Sequence, residues 1–172
     1  TITPRVAYFV NEIIDYISQL IDKGAAYVVD GEVFFNIASI KDYGHLSNMK
    51  TDELIVGARV EESLKKRSPL DFILWKKTLE GITFDSPWGQ GRPGWHTECA
   101  VMINSLFKDK LIDIHGGGFD LKFPHHDNEI AQSMAINGTR LANIWMHNGF
   151  ITLNDDKMSK SQGNIFSSKQ AL

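Results

Sequence analysis

The opening residues carry the clearest pattern in the chain. Val6, Phe9, Val10, Ile13, Ile14, Ile17, Leu20 and Ile21 recur at steps of three and four, which puts them on one stripe of an α-helix. Thr3 is expected to cap its start, Pro4 suits the first helical position, and Gly24 is a natural stop. The period then changes. Ala26-Tyr27-Val28-Val29 and Val33-Phe34-Phe35 are β-rich runs flanking Asp30-Gly31, a pair that predicts a tight hairpin.

Residues 38–70 follow neither period. Charges at Lys41, Asp42, Lys50, Asp52, Glu53, Glu61, Glu62 and Lys65-Lys66-Arg67 predict an inserted, surface-heavy module. Phe72-Ile73-Leu74-Trp75 reads as a short strand. Residues 86–95, dense in Pro, Gly and Trp, read as a rigid loop entering a helix through Cys99, Met102 and Leu106. Leu111-Ile112-Asp113-Ile114 then predicts a strand running into a glycine-rich loop. A helix from Pro124 through Ile130 and Met134 ends near Asn137-Gly138, and Ile144-Trp145-Met146 is a further strand. Such alternation predicts an α/β fold with parallel strands.

Composition narrows the classes. The 172 residues are 42% hydrophobic, enough for one core. With 18 basic against 21 acidic residues the net charge is −3, which argues against binding through bulk positive charge. No apolar run approaches the roughly 20 residues of a membrane span. A single cysteine excludes an internal disulfide and makes a reducing compartment, the cytoplasm, the expected location.

Three clusters carry candidate chemistry. His125 and Glu129 stand four residues apart, so a helix presents both on one face, and Cys99 from a separate helix completes a thiolate, imidazole and carboxylate set suited to zinc. The plainer alternatives are a small buried hydrophobe at Cys99 and a surface pair on the helix. Gly116, Gly117 and Gly118 after a strand let a ligand approach the backbone, with Asp120 placed for a ribose hydroxyl; an ordinary tight turn is the alternative. Five of the six histidines follow Trp95, and His126 is expected to orient a neighbour or a phosphate. Lys157 and Lys160, with Ser159 and Ser161 between and beyond them, suit polyphosphate oxygens, and Gly163 and Asn164 are expected to loosen that loop as a lid.

Lys157-Met158-Ser159-Lys160-Ser161 matches the nucleotide loop of class I aminoacyl-tRNA synthetases. Residues 91–99 (GRPGWHTEC) and 115–129 (HGGGFDLKFPHHDNE) closely resemble the cysteinyl-tRNA synthetase family. The resemblance covers essentially the whole chain. It implies an α/β fold, namely the second half of a Rossmann-like class I catalytic domain with an inserted α+β connective module. The implied boundaries are 1–23, a helix leading from the first Rossmann half; 24–88, the connective insertion near the tRNA acceptor end; 89–155, the second Rossmann half with zinc and adenosine sites; and 156–172, the nucleotide loop and the start of a helical region.

The same resemblance implies site roles. Cys99, His125 and Glu129 would be three of four ligands of one zinc ion, and Trp95 would line the amino-acid pocket. Gly116, Gly117, Gly118 and Asp120 would meet the adenosine. Lys157 and Lys160 would supply catalytic charge, with Lys160 binding ATP, which comes with Mg2+. The implied activity is ATP-dependent activation of cysteine and its transfer to tRNA(Cys), by a monomer that needs no membrane. Alternatives are a cysteine-adenylating ligase acting on an amino sugar, and a non-catalytic zinc-dependent binding fragment. The family's His-Ile-Gly-His signature and its further zinc-binding cysteine have no counterpart here, so a fragment inactive on its own is expected.

Overall fold

A computed structural model describes residues 1–48, 65–108, 111–153, 156–159, 161, 163–165 and 168–171. The amphipathic pattern forms helix α1 (Val10–Asp22), with Ile13, Ile17 and Leu20 wholly buried and Asn11, Glu12, Asp15 and Gln19 turned to solvent. It begins later than the pattern predicts. One 3-10 turn, Val6–Tyr8, precedes it, and Phe9 is its N-cap without a capping side chain; Thr3 and Pro4 lie exposed outside the helix. Val6 and Phe9 pack on the core, so apolar anchoring rather than a hydroxyl cap sets the start. The far end is as expected. The Gly24 amide donates to the Ile21 carbonyl and the Ala25 amide to that of Leu20, both at 2.9 Å, the paired bonds of a Schellman cap.

The hairpin forms as predicted from β1 (Ala26–Val29) and β2 (Glu32–Phe35), with positive φ at both Asp30 and Gly31. Strands β3 (Phe72–Lys77) and β4 (Gly91–Pro93) extend this sheet in the order β1-β2-β3-β4, and every neighbour is antiparallel. The expected parallel pairing belongs to a second sheet, β5 (Ile112–Gly118) with β6 (Ala142–Asn148). Helix α2 (Trp95–Phe107) precedes this pair, and α3 (Asp127–Asn137) makes the crossover between its strands. One core joins Ile13, Ile17 and Leu20 to Phe35, Leu74 and Trp75 of the first sheet, Val101 of α2 and Ala131 of α3.

Three local expectations are corrected. The glycines are not a loop: Gly116, Gly117 and Gly118 lie within β5, where pairing continues to Gly118 opposite Asn148 and needs only backbone. The helix does not start at Pro124. A 3-10 turn (Phe119–Leu121) and a wide turn (Lys122–His126) come first, because Phe123, preceding a proline, is extended at φ −136° and ψ 136°. Nor are residues 38–48 merely a surface stretch. The Tyr43 hydroxyl donates to Asn128 Oδ1 at 2.7 Å, and the Leu46 and Ser47 amides each donate to the Asp127 carboxylate at 3.2 Å. Lys50, Asp52, Glu53, Glu61 and Glu62 lie outside the described residues.

The charge run at 65–67 is partly used inside the protein. Lys65 pairs with Glu32 at 2.8 Å, and the Arg67 guanidinium lies 4.0 Å above the Tyr27 ring. Past β6, a short antiparallel pair, β7 (Thr152–Leu153) with β8 (Asp156–Lys157), leads into the lysine-serine loop. A last turn of helix, α4 (Ser168–Ala171), follows.

Candidate active site

Three elements bring together the candidate metal-ligating set. Cys99 comes from α2, His125 from the turn before α3, and Glu129 from the first turn of α3. One ligand atom from each lies within 4.8 Å of the other two. The opening of α2 is set by close backbone approach. The Gly94 amide donates to the Leu74 carbonyl at 2.7 Å, and a β-carbon at Gly94 would run into the carbonyl of Ile73. That glycine lets α2 start against β3 and carries Cys99 to the core edge.

Glu129 is wholly buried. Its Oε2 accepts a hydrogen bond from His115 Nε2 at 2.7 Å. Its Oε1 lies 3.2 Å from His125 Nε2 without the alignment of a hydrogen bond, and so remains a bare buried oxygen. Burial by itself would raise the Glu129 pKa, but the adjoining His115 and His125 rings hold it down to about 2. Cys99 moves the other way: burial, then the nearby Glu129 and Glu98 carboxylates, push its thiol up to about 12. A buried carboxylate oxygen without a hydrogen-bond partner and a thiol that burial and nearby carboxylates keep protonated are two groups a dication would satisfy together. The donor set therefore fits a metal ion.

Histidines surround this centre. His96 Nδ1 lies 2.9 Å from His125 Nδ1, and His126 Nδ1 lies 2.8 Å from His147 Nε2. His126 thus engages a neighbour, one of the two outcomes expected for it. It is buried, and burial holds both it and His96 down to about 4. The indole of Trp95 is 58% exposed and packs on His125 at 4.5 Å and His96 at 5.4 Å, at the mouth of the site. The roles of His96, His115 and His147 are not legible from local spacing, since their contacts join separate elements. The only trace in the sequence is the crowding of histidines after Trp95.

The remaining candidates sit around β5. A β-carbon at Gly117 would come within 3.0 Å of His126 Cε1, so this glycine makes room for the histidine ring. A β-carbon at Gly116 would make only an ordinary contact, 3.8 Å from the Met146 carbonyl oxygen, and the Asp120 carboxylate folds over Gly118 from the 3-10 turn. In the lysine-serine loop, the Ser159 amide donates to Asn164 Oδ1 at 2.8 Å and Ser159 Oγ lies 3.1 Å from Ser161 Oγ. Asn164 is therefore a tie across the loop. Lys157 ends β8, and Lys160 lies outside the described residues.

Residues 1–172 match the family described as the tRNA synthetases class I (C) catalytic domain. Relatives include proteins named cysteine–tRNA ligase from Persephonella marina, 55% identical over 98% of this chain and 35% of the relative, and from Aquifex aeolicus, 57% identical over 95% and 33%. Another, from Clostridioides difficile, is 52% identical over 96% of the chain and 36% of the relative. The chain thus spans about a third of the length of these relatives. With a fold of mixed helices and sheets and a match from end to end, this chain belongs to the class I tRNA synthetase (C) catalytic-domain family.

Proposed function

We propose that this chain forms part of a cysteine–tRNA ligase and holds the site that selects cysteine. The observation that carries the reading is the convergence of Cys99, His125 and Glu129 within 4.8 Å, beneath the exposed Trp95 indole. These residues would hold one zinc ion, with a fourth ligand from elsewhere. Zinc, when bound, supplies a Lewis acid that favours a soft thiolate over a protonated alcohol. Trp95 would close the amino-acid pocket against water. Gly116, Gly117, Gly118 and Asp120 would receive the adenosine of ATP, bound with Mg2+, at the carboxyl end of β5, where open α/β sheets bind ligands.

In the first reaction step the cysteine carboxylate attacks the α-phosphorus and pyrophosphate leaves. Lys157 and Lys160 would neutralise the charge that develops there. The terminal hydroxyl of tRNA(Cys) then takes the aminoacyl group and AMP departs. The domain boundaries at 1–23, 24–88, 89–155 and 156–172 belong to this reading, as do a monomeric state and a cytoplasmic location. Among the described residues no helix is long and apolar enough to cross a membrane.

The test is ATP–pyrophosphate exchange by the complete polypeptide. Hydroxyl and thiol side chains are close in shape, so a pocket that measured size alone would discriminate weakly. Cysteine is expected to support exchange and serine to fail by orders of magnitude. Comparable exchange with both would contradict the proposal.

A further inference from the structure

We infer that His115 and His96 are positioning residues: they hold the Glu129 carboxylate and the His125 imidazole in the orientation a metal ion requires. The inference rests on the metal reading above and extends it to two residues outside the ligand triad.

Glu129 divides its oxygens between two tasks. A carboxylate only accepts, so the 2.7 Å contact from His115 means that His115 Nε2 carries a proton and is spent as a donor. Oε2 is thereby fixed, and Oε1 is left bare toward His125. The separations distinguish a ligand from its support. Two donors on one tetrahedral zinc, each at about 2.0–2.1 Å, stand roughly 3.3 Å apart. His125 Nε2 and Glu129 Oε1 are 3.2 Å apart, whereas the His115 contact is too short to share an ion in this way. The same distance argues against a metal held by His115, His126 and Glu129, although their donor atoms also cluster.

His125 is controlled through its other nitrogen. Two Nδ1 atoms 2.9 Å apart share one proton. For His125 Nε2 to offer a lone pair, that proton must sit on His125 Nδ1 and be accepted by His96 Nδ1. His96 thus fixes the tautomer of the ligand. Both outer rings are braced. His115 packs edge-on against Trp145 at 4.7 Å and beside His126 at 4.6 Å, while His96 lies between Phe72 at 5.6 Å and Trp95 at 5.4 Å.

The experiment measures zinc affinity of the complete polypeptide by competition with a chromophoric chelator, alongside the thiolate-to-cobalt absorption of the cobalt form. His115→Ala and His96→Ala are expected to weaken zinc by about 10–100-fold while the cobalt absorption persists, because Cys99 remains. His115→Gln, whose amide donates where Nε2 did, and His96→Asn, whose oxygen accepts where Nδ1 did, should recover most of that affinity. Unchanged affinity in the alanine variants would overturn the inference. So would losses in Gln and Asn equal to those in Ala, since mere space-filling would then suffice. If an alanine variant fails to fold, its conservative counterpart decides: affinity near the parent supports the role, and a loss of tenfold or more overturns it. Cys99→Ala separates the two levels of the argument. If that variant keeps both zinc affinity and the full intensity of the cobalt absorption, the metal reading itself fails.

Discussion

Two buried carboxylates show how single residues divide the work of fold and site. Asp71, 1% exposed, is saturated: it accepts from the Tyr27 hydroxyl at 2.7 Å, the Ile37 amide at 2.9 Å and the Ser68 amide at 3.0 Å. It ties the segment before β3 to the hairpin. Hydrogen bonds to a charged group contribute about 1.5–3 kcal/mol each, and Asp71→Ala would strand several donors, so a loss of about 3 kcal/mol or more is expected in urea denaturation. Tyr27→Phe should cost about 1 kcal/mol. Burial, with Asp71 adding to it, pushes the Tyr27 pKa up to about 12 from 10.0. The folded state therefore holds this proton more tightly than the unfolded chain. Its contribution is complete below pH 10 and is lost as pH rises toward 12. Tyr27→Phe should remove that alkaline loss; an identical alkaline profile in both proteins would contradict it. Glu129, in contrast, leaves one oxygen without a hydrogen-bond partner, as the proposed ligand role requires. The pairing of His125 with Glu129 could be suggested from their four-residue separation, which is local information, although His125 lies in the turn before α3 and not on the helix itself. The contacts of His115 and His96 could not, because each acts across 14 and 29 residues of sequence respectively.

At the level of elements, legibility followed the source of the stabilising energy. α1 and the β1–β2 hairpin owe their form to periodicity and a turn pair, and both were readable. The start of α1 was not, because packing of the partly buried Phe9 on the core overrides the capping preference of Thr3. The glycine run misled for a related reason. Glycine in isolation signals a turn, but here parallel pairing with β6 supplies backbone partners through to Gly118. The lysine-serine loop carries its tie at Asn164, a contact that loop composition does not reveal. Gly94 is the position where an element and the site depend on one atom. A β-carbon there would strike the Ile73 carbonyl and force α2 away from β3. Gly94→Ala should cost about 1–3 kcal/mol, as overpacking does, and weaken metal binding because Cys99 rides on α2. Gly138→Ala, at φ +69° with open space around it, is the control: it should cost about 1 kcal/mol and leave metal affinity alone. Equal metal affinity in both variants would dissociate Gly94 from the site.

Over the whole molecule, one core connects the antiparallel sheet, α1, α2 and α3, and the candidate site lies where α2, the turn before α3 and β5 converge. The arrangement of Cys99, His125 and Glu129 is thus a tertiary property, and the contacts among the surrounding histidines do not show in any local motif. Ile114, Ile144 and Met146 lie on β5 and β6 with more than half of each exposed, an apolar strip on the parallel pair that the described residues leave uncovered. Under the proposed function, Cys99, His125 and Glu129 would hold a metal ion that meets the substrate sulfur. The most direct test of that reading is the absorption spectrum of the cobalt-substituted complete polypeptide during titration with cysteine and, separately, with serine. A sulfur-to-cobalt band that strengthens and shifts with cysteine, stays unchanged with serine, and is weaker in Cys99→Ala without cysteine is expected. A cobalt spectrum that ignores cysteine would contradict the reading.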